Sequence, residues 1–410
     1  MPNSKKNSSN NISSNNNSSN NNSINNIDIS DTNNSNKANP KEINTKTVNT
    51  KTTANSKTTT RNYHDQININ NDLKLREMLK ELPRFCMTFF RGIEYTTSSR
   101  TRIAYAYDLG VFFNYIKDTN PAYADIEINH FSIDILNKIT VDDIEEYLDY
   151  LKVYSKNSSE HTNREKGIKR KLSSLKSFYN YFFCNQIIED NPAAKVRMPK
   201  LHESEIIRLD SDEVVRLLDE VESGDNLTKS QKKYHDKTKL RDTALLTLLL
   251  GTGMRVSECV GIDINDVDFK NSGIKVRRKG GYEAIVYFGD EVEIALLNYL
   301  EYRNTIKPVA GHENALFLSL QNKRISVRSV ENLVKKYSGL ITTLKHITPH
   351  KLRSTYGTNL YKETGDIYLV ADVLGHKDVN TTRKHYAAIE DRRRYNARNE
   401  VSLRRNKEEE

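Results

Sequence analysis

Tyr386 stands directly after a histidine and just before a run of arginines in VNTTRKHYAAIEDRRR (379–394), ten positions past the His376 of a Gly375–His376 pair. A phenol is a weak nucleophile at neutral pH and needs neighbours that stabilise charge. Three other stretches hold such groups. In GTGMRVSE, Gly251 and Gly253 break a helix and Arg255 begins the next, where a guanidinium at a helix start welcomes an anion. In VRRKGGYEAI, Lys279 sits at the tip of a hairpin turn, a place where a lysine is ordinarily a solubility residue. In TPHKLRST, Thr348 takes the N-cap, Pro349 the first helical position, and His350 and Arg353 fall at i and i+3 on one face. Each stretch alone is unspecific.

Other chemistries lack their residues. His346 and His350 have the spacing of a helical zinc pair, but Thr348 and Pro349 put a helix boundary between them and no acidic third ligand follows, so no metal is expected. No G-x-x-x-x-G-K-[ST] loop is present, so ATP is not the energy source, and no cofactor is expected. Cys86, Cys184 and Cys259 are odd in number and widely spaced, which speaks against a disulfide framework and for a reducing cytosol. The 410 residues carry a formal net charge of +9, which favours a polyanionic partner. ALLTLLL (244–250) falls far short of the roughly 20 apolar residues that cross a bilayer, so no membrane partner is expected. The lysines near the N-terminus are followed by no hydrophobic segment, so no secretory signal is read and a cytoplasmic place is expected.

The elements that must position these residues fall into two folded parts. Residues 1–70 are mostly Asn, Ser, Thr and Lys, with no aromatic before Tyr63, and are expected to be a disordered tail. From 71 to 195, apolar residues recur at helical spacing, and Thr140 followed by Asp142, Asp143 and Glu145 is a capped, acidic helix start. This part reads as an all-helical domain. Within it, Arg164, Lys166, Lys169, Arg170 and Lys171 are candidates for contacts to a phosphate backbone, while Leu172, Leu175, Phe178 and Phe182 fit a buried stripe better than stacking platforms. Pro192 and Pro199 mark a linker at 196–208. The second domain, 209–395, is helical except for the alternating runs in GIKVRRKGGYEAIVYFGD. The fold class is therefore mainly α with a small antiparallel β-sheet (α+β), and 396–410 forms a charged C-terminal tail.

Arg255, Lys279, His350, Arg353, His376 and Tyr386, in that order, resemble the catalytic set of the tyrosine recombinase family, which includes phage integrases and Xer recombinases. The words TGMRVSE, PHKLRST, LGH and HYA resemble the family's boxes, and NPAAKVRMPK its link between DNA-clamping and catalytic domains. The likeness spans about 75–395. It implies that Tyr386 attacks a DNA phosphodiester to form a 3′-phosphotyrosyl intermediate. By the same likeness Arg255 and Arg353 grip the non-bridging oxygens, His350 is the base, and Lys279 the acid for the 5′-hydroxyl. His376 donates a hydrogen bond to the phosphate, and Glu258 orients the site from behind. Tyr356 stands where the family often has phenylalanine, and VADVLGH replaces a more common IQELLGH-like run; neither touches the chemistry. The likeness also implies a double-stranded DNA recombination site as partner and a homo-tetramer on two DNA sites, with the C-terminal tail docking in a neighbouring subunit. Stretches such as ESGDNLTKSQKKYHDKTKLRD resemble the single-recombinase Xer branch, which implies resolution of chromosome dimers at cell division, a nucleoid-associated place and a septal DNA translocase as partner. An integrase, excisionase or resolvase of a mobile element is the alternative reading. A non-cleaving DNA-binding protein on the same fold is the alternative of another class.

Overall fold

A computed structural model describes residues 63–156, 159–201, 207–278, 280–376 and 378–379. The polar tail before Tyr63, the candidate acid Lys279, the candidate nucleophile Tyr386 and the 396–410 tail lie outside the described residues.

The first core is built from α1 (Tyr63–Lys80), α2 (Cys86–Gly92), α3 (Ser99–Thr119), α4 (Ile135–Lys138), α5 (Val141–Tyr150), β1 (Val153–Lys156), β2 (Ser159–Thr162), α6 (Glu165–Cys184) and α7 (Pro192–Lys195). The Thr140 box is present: the Thr140 hydroxyl accepts from the Asp143 N–H, and the Asp143 carboxylate accepts from the Thr140 N–H. On α6 the stripe Ile168, Leu172, Leu175, Phe178 and Phe182 is buried, as helical spacing requires. Phe178 meets Phe89 and Phe182 edge-on at 5.1 and 5.0 Å, the arrangement that the ring quadrupole favours. Burying one such ring contributes roughly 2 kcal/mol or more.

Two readings of this part need correction. Residues 63–70, expected in the disordered tail, are the first turns of α1. Tertiary contacts override their polar composition: Asn71 donates to the Ser99 hydroxyl (3.0 Å), Ser99 donates to Asn68 (2.9 Å), and Arg102 pairs with Asp72 (3.1 Å). The domain is also not purely helical, because β1 and β2 pair antiparallel with Val153 opposite Thr162. Strands of four residues leave too short a pattern for periodicity to separate from a turn.

The second core contains α8 (Ser211–Ser223), α9 (Lys229–Thr252), α10 (Val256–Cys259), β3 (Val267–Asp268), β4 (Gly273–Arg277), β5 (Glu283–Tyr287), α11 (Asp290–Asn304), α12 (Val327–Ile341), α13 (Pro349–Thr364) and α14 (Ile367–Leu374). The C-terminal half of α9 is its centre. Ala244, Leu245, Leu246, Leu248 and Leu249 are buried, and the helix lies against α8, α11 and α13. A helix apolar on every side has no other stable place in water. The sheet is antiparallel in the order β3-β4-β5, and Arg277 faces Glu283 at the root of the β4–β5 turn. That turn closes by the Arg278 N–H on the Tyr282 carbonyl at 2.9 Å, with Gly280 and Gly281 at φ +102° and +85°.

The start of α1 reaches the second core. The Arg324 guanidinium lies 4.7 Å from the Tyr63 ring, and Asp65 pairs with Arg277 at 3.2 Å. Burial, aided by the nearby Arg277 and Arg324 charges, lowers the pKa of His64 between these contacts.

Candidate active site

Gly253 is where the site begins. It caps α9 in the left-handed region at φ +60°, with its N–H on the Leu249 carbonyl. The chain then turns through buried Met254 to Arg255, the N-cap of α10. Glu258, one turn on, accepts from the Arg255 backbone N–H and from its Nη1, both at 2.9 Å. The carboxylate is only 4 % exposed and the guanidinium 35 %, so a buried anion holds a cation that opens to solvent on its other side. Gly251 does not break the helix as expected, because α9 runs on to Thr252; a Cβ there would meet Val292 Cγ2 at 2.6 Å, so this glycine permits the close approach of α11. Burial pushes the thiol of Cys259 up, far from a reactive thiolate.

Helix α13 starts as its sequence requires, with Thr348 at the N-cap and Pro349 in the first turn, although the Thr348 hydroxyl makes no capping bond. His350 is exposed beside the helix start, and Arg353 lies one turn inward, buried to 5 % exposure. Arg353 Nη1 donates to the Gly253 carbonyl at 2.7 Å and Nη2 donates to the Leu374 carbonyl. Helix α14 ends at Gly375, at φ +61°, and the His376 N–H returns to the Ala371 carbonyl at 2.9 Å. Arg255 Nη2 reaches the Gly375 carbonyl at 3.3 Å. Two guanidiniums from distant parts of the chain thus converge on the turn that carries His376. The last carbonyls of a helix lack intrahelical partners and bear partial negative charge, which is why cations settle there.

A cleft of about 620 Å³ opens beside this turn, lined by Arg255, Gly280, Tyr282, Gly375, His376 and Asp378 together with Tyr95, Thr96, Thr97 and Ser98. Four of these residues come from the loop between α2 and α3, which sequence reasoning did not assign to the site. Its signal was the hydroxyl run TTSS ahead of a helix, where Ser98 accepts from the Thr101 N–H. Tyr95 in this loop is almost wholly exposed. Among the described residues no group of three or more His, Cys, Asp or Glu could hold a metal ion.

The basic candidates on α6 divide. Arg164 and Lys166 are exposed and Lys169 half-buried. Lys171 is corrected: it shares the buried face with Ile168, Leu172 and Leu175, and donates to Asn163 at 2.8 Å. Arg170 stays exposed along much of its side chain, while its guanidinium also pairs with the buried carboxylate of Asp108, to which the Ser174 hydroxyl donates at 2.7 Å. Burial raises the pKa of Asp108, so the Arg170 and Ser174 contacts only partly offset the loss of water around that charge.

Gly253→Ala tests how tightly this corner is built. A Cβ would overlap the Tyr356 ring and meet Leu374 at 3.0 Å, in a backbone conformation already unfavourable for alanine. The substitution is expected to cost about 2 kcal/mol, read as a lower urea midpoint of unfolding. An unchanged midpoint would show that the end of α9 has room to spare.

Comparison with known proteins places the chain. Residues 207–393 match the model of the phage integrase family. Tyrosine recombinase XerC of Caldanaerobacter subterraneus subsp. tengcongensis is 32 % identical over 76 % of this chain and 85 % of its own length. Tyrosine recombinase XerS of Lactococcus lactis subsp. cremoris is 30 % identical over 75 % of this chain and 92 % of its own. Among solved structures, the XerH site-specific recombinase bound to palindromic difH substrate, a post-cleavage complex, superposes with a TM-score of 0.54 at 18 % identity, over 74 % of this chain and 80 % of that one. The Tn1549 transposon integrase in complex with circular intermediate DNA gives 0.52 at 22 % identity, over 73 % and 94 %.

Proposed function

We propose that this chain, which belongs to the phage integrase family and is a tyrosine recombinase that cleaves and rejoins DNA, works as a Xer-type enzyme resolving chromosome dimers at cell division. The observation that carries the chemistry is the convergence of Arg255 and Arg353 on the turn that leads into His376, at the edge of an open cleft. The in-line transition state of phosphoryl transfer gathers negative charge on the non-bridging oxygens, and two planar guanidiniums with fork geometry suit that charge. In the proposed reaction the Tyr386 oxygen bonds to phosphorus as the bond to the 5′-oxygen breaks. The phenol proton passes to His350, and Lys279 supplies the proton that the departing 5′-oxygen takes up. The phosphotyrosyl linkage keeps the energy of the phosphodiester, so a 5′-hydroxyl from a second strand reverses the step without ATP.

The same reading gives the rest of the chain its work. Residues 71–195 clamp a duplex against a catalytic part at 209–395, with the hydroxyls of the Tyr95–Ser98 loop and the basic side chains Arg164, Lys166 and Lys169 as its phosphate contacts. Four copies act on two sites, each C-terminal tail docks in a neighbour, and a septal DNA translocase gates the exchange on the nucleoid. Among the described residues no helix is long and apolar enough to cross a membrane.

The test is to trap covalent protein–DNA adducts in the native cell and sequence the attached DNA. One dominant chromosomal locus near the replication terminus is the expected result. Adducts at the ends of a mobile element would replace the Xer role by that of an integrase. A protein that occupies DNA without forming adducts would remove the proposed chemistry altogether.

A further inference from the structure

Arg278 is absorbed by none of the roles above, yet it touches the same turn as the two arginines just described. Its Nη2 donates to the Val373 carbonyl at 3.2 Å, next to the Leu374 and Gly375 carbonyls that Arg353 and Arg255 take. A Cβ at position 375 would overlap the Arg278 guanidinium, so the glycine makes room for this side chain as well as for its own turn. Meanwhile the Arg278 backbone closes the β4–β5 turn: its N–H bonds to the Tyr282 carbonyl at 2.9 Å, and its carbonyl accepts from Gly281 at 3.0 Å. The neighbouring Arg277 points elsewhere, to Asp65 on α1. One residue therefore joins the root of the turn to the end of α14.

The join is poor as a stabiliser. Nε of Arg278 is buried without a hydrogen-bond partner, and leaving a buried N–H unpaired works against stability. What the side chain supplies is registration between two segments. Lys279 follows Arg278 directly in sequence, and His376 follows Gly375. We infer that Arg278 is a positioning residue for departure of the 5′-oxygen: it fixes the strand end that leads into Lys279 against the turn that leads into His376. The inference rests on Lys279 being the proton donor, as proposed above.

The experiment uses the full-length protein and a duplex carrying the site recovered from the adducts, cleaved in single turnover. One version has the natural ester. The other has sulfur in place of the bridging 5′-oxygen, and the far more acidic thiol leaves without a proton. Arg278→Ala is expected to cleave the natural ester on the order of 100-fold more slowly, the scale of a misplaced group, and to cleave the sulfur ester within about threefold of the unaltered protein. Lys279→Ala should show the same pattern. Arg278→Lys, which keeps a donor for the Val373 carbonyl, should show it with smaller amplitude and guards against a folding defect in the alanine variant. If Lys279→Ala recovers on the sulfur ester while both Arg278 variants stay slow on each substrate, the positioning role is wrong and the proton-donor reading stands. If Lys279→Ala itself stays slow on the sulfur ester, the proton-donor reading falls and this inference falls with it.

Discussion

Tyr386→Phe is expected to form no covalent DNA adduct and to cleave at least about 10⁴-fold more slowly than the unaltered protein, the scale on which loss of a nucleophile is felt. It should still bind its site with affinity unchanged within about twofold, because affinity for a duplex is dominated by phosphate contacts that the change leaves alone. Denaturing gels of a nicked substrate read the adduct, and a mobility shift at fixed salt reads the binding. The comparison is sharp because the cleft holds other phenols. Tyr95 and Tyr282 line the cleft, and both are exposed enough to meet DNA. Tyr356 packs under the same corner, but burial raises its pKa, the wrong direction for a nucleophile. If Tyr386→Phe still forms adducts, Tyr282 becomes the first residue to replace, and the assignment of HYA as the nucleophile's box is lost.

What could be read from the sequence was whatever is encoded within a few residues. The Thr140–Asp143 box needs only a three-residue spacing, and it is present. The β4–β5 turn is announced by consecutive glycines, and strands flank it on both sides. The short words around Arg255, Arg353 and His376 marked those residues individually. Their junction through the carbonyls of Gly253, Leu374 and Gly375 depends on backbone groups that every residue possesses, so no residue type signals it. The same holds for Arg278, whose partner is a main-chain oxygen. Charge misled where burial overrode it. Lys171 looks like a neighbour of Lys169 on a basic face, but one helical step of about 100° from the exposed Arg170 turns it into the apolar stripe. Strand β3, of two residues, is too short to have a period, and the Tyr95–Ser98 loop that lines the cleft lies more than 150 positions before Arg255 in the chain.

Burial decides the second large effect, which separates Arg353 from Arg255. Both are proposed to grip the scissile phosphate, and replacing either by lysine keeps the charge but loses the planar fork. Each variant is therefore expected to cleave on the order of 10²–10³-fold more slowly, the cost of removing an oriented donor from a developing oxyanion. Their stabilities should differ. Arg353 is buried and its two ends tie the end of α9 to the end of α14; one ammonium cannot hold the carbonyls of Gly253 and Leu374 in the same way. Leaving a buried carbonyl short of its donor costs roughly 1–3 kcal/mol, so Arg353→Lys should unfold at a clearly lower urea concentration. Arg255 is one-third exposed, and a lysine ammonium keeps a positive charge beside the buried Glu258 carboxylate, so Arg255→Lys should lose clearly less stability than Arg353→Lys. Single-turnover cleavage and urea melts of the two variants, taken side by side, check both halves. Equal losses of stability would mean that the Arg353 bonds do not brace the site. A lysine variant that cleaves normally would mean that its guanidinium does not hold the phosphate.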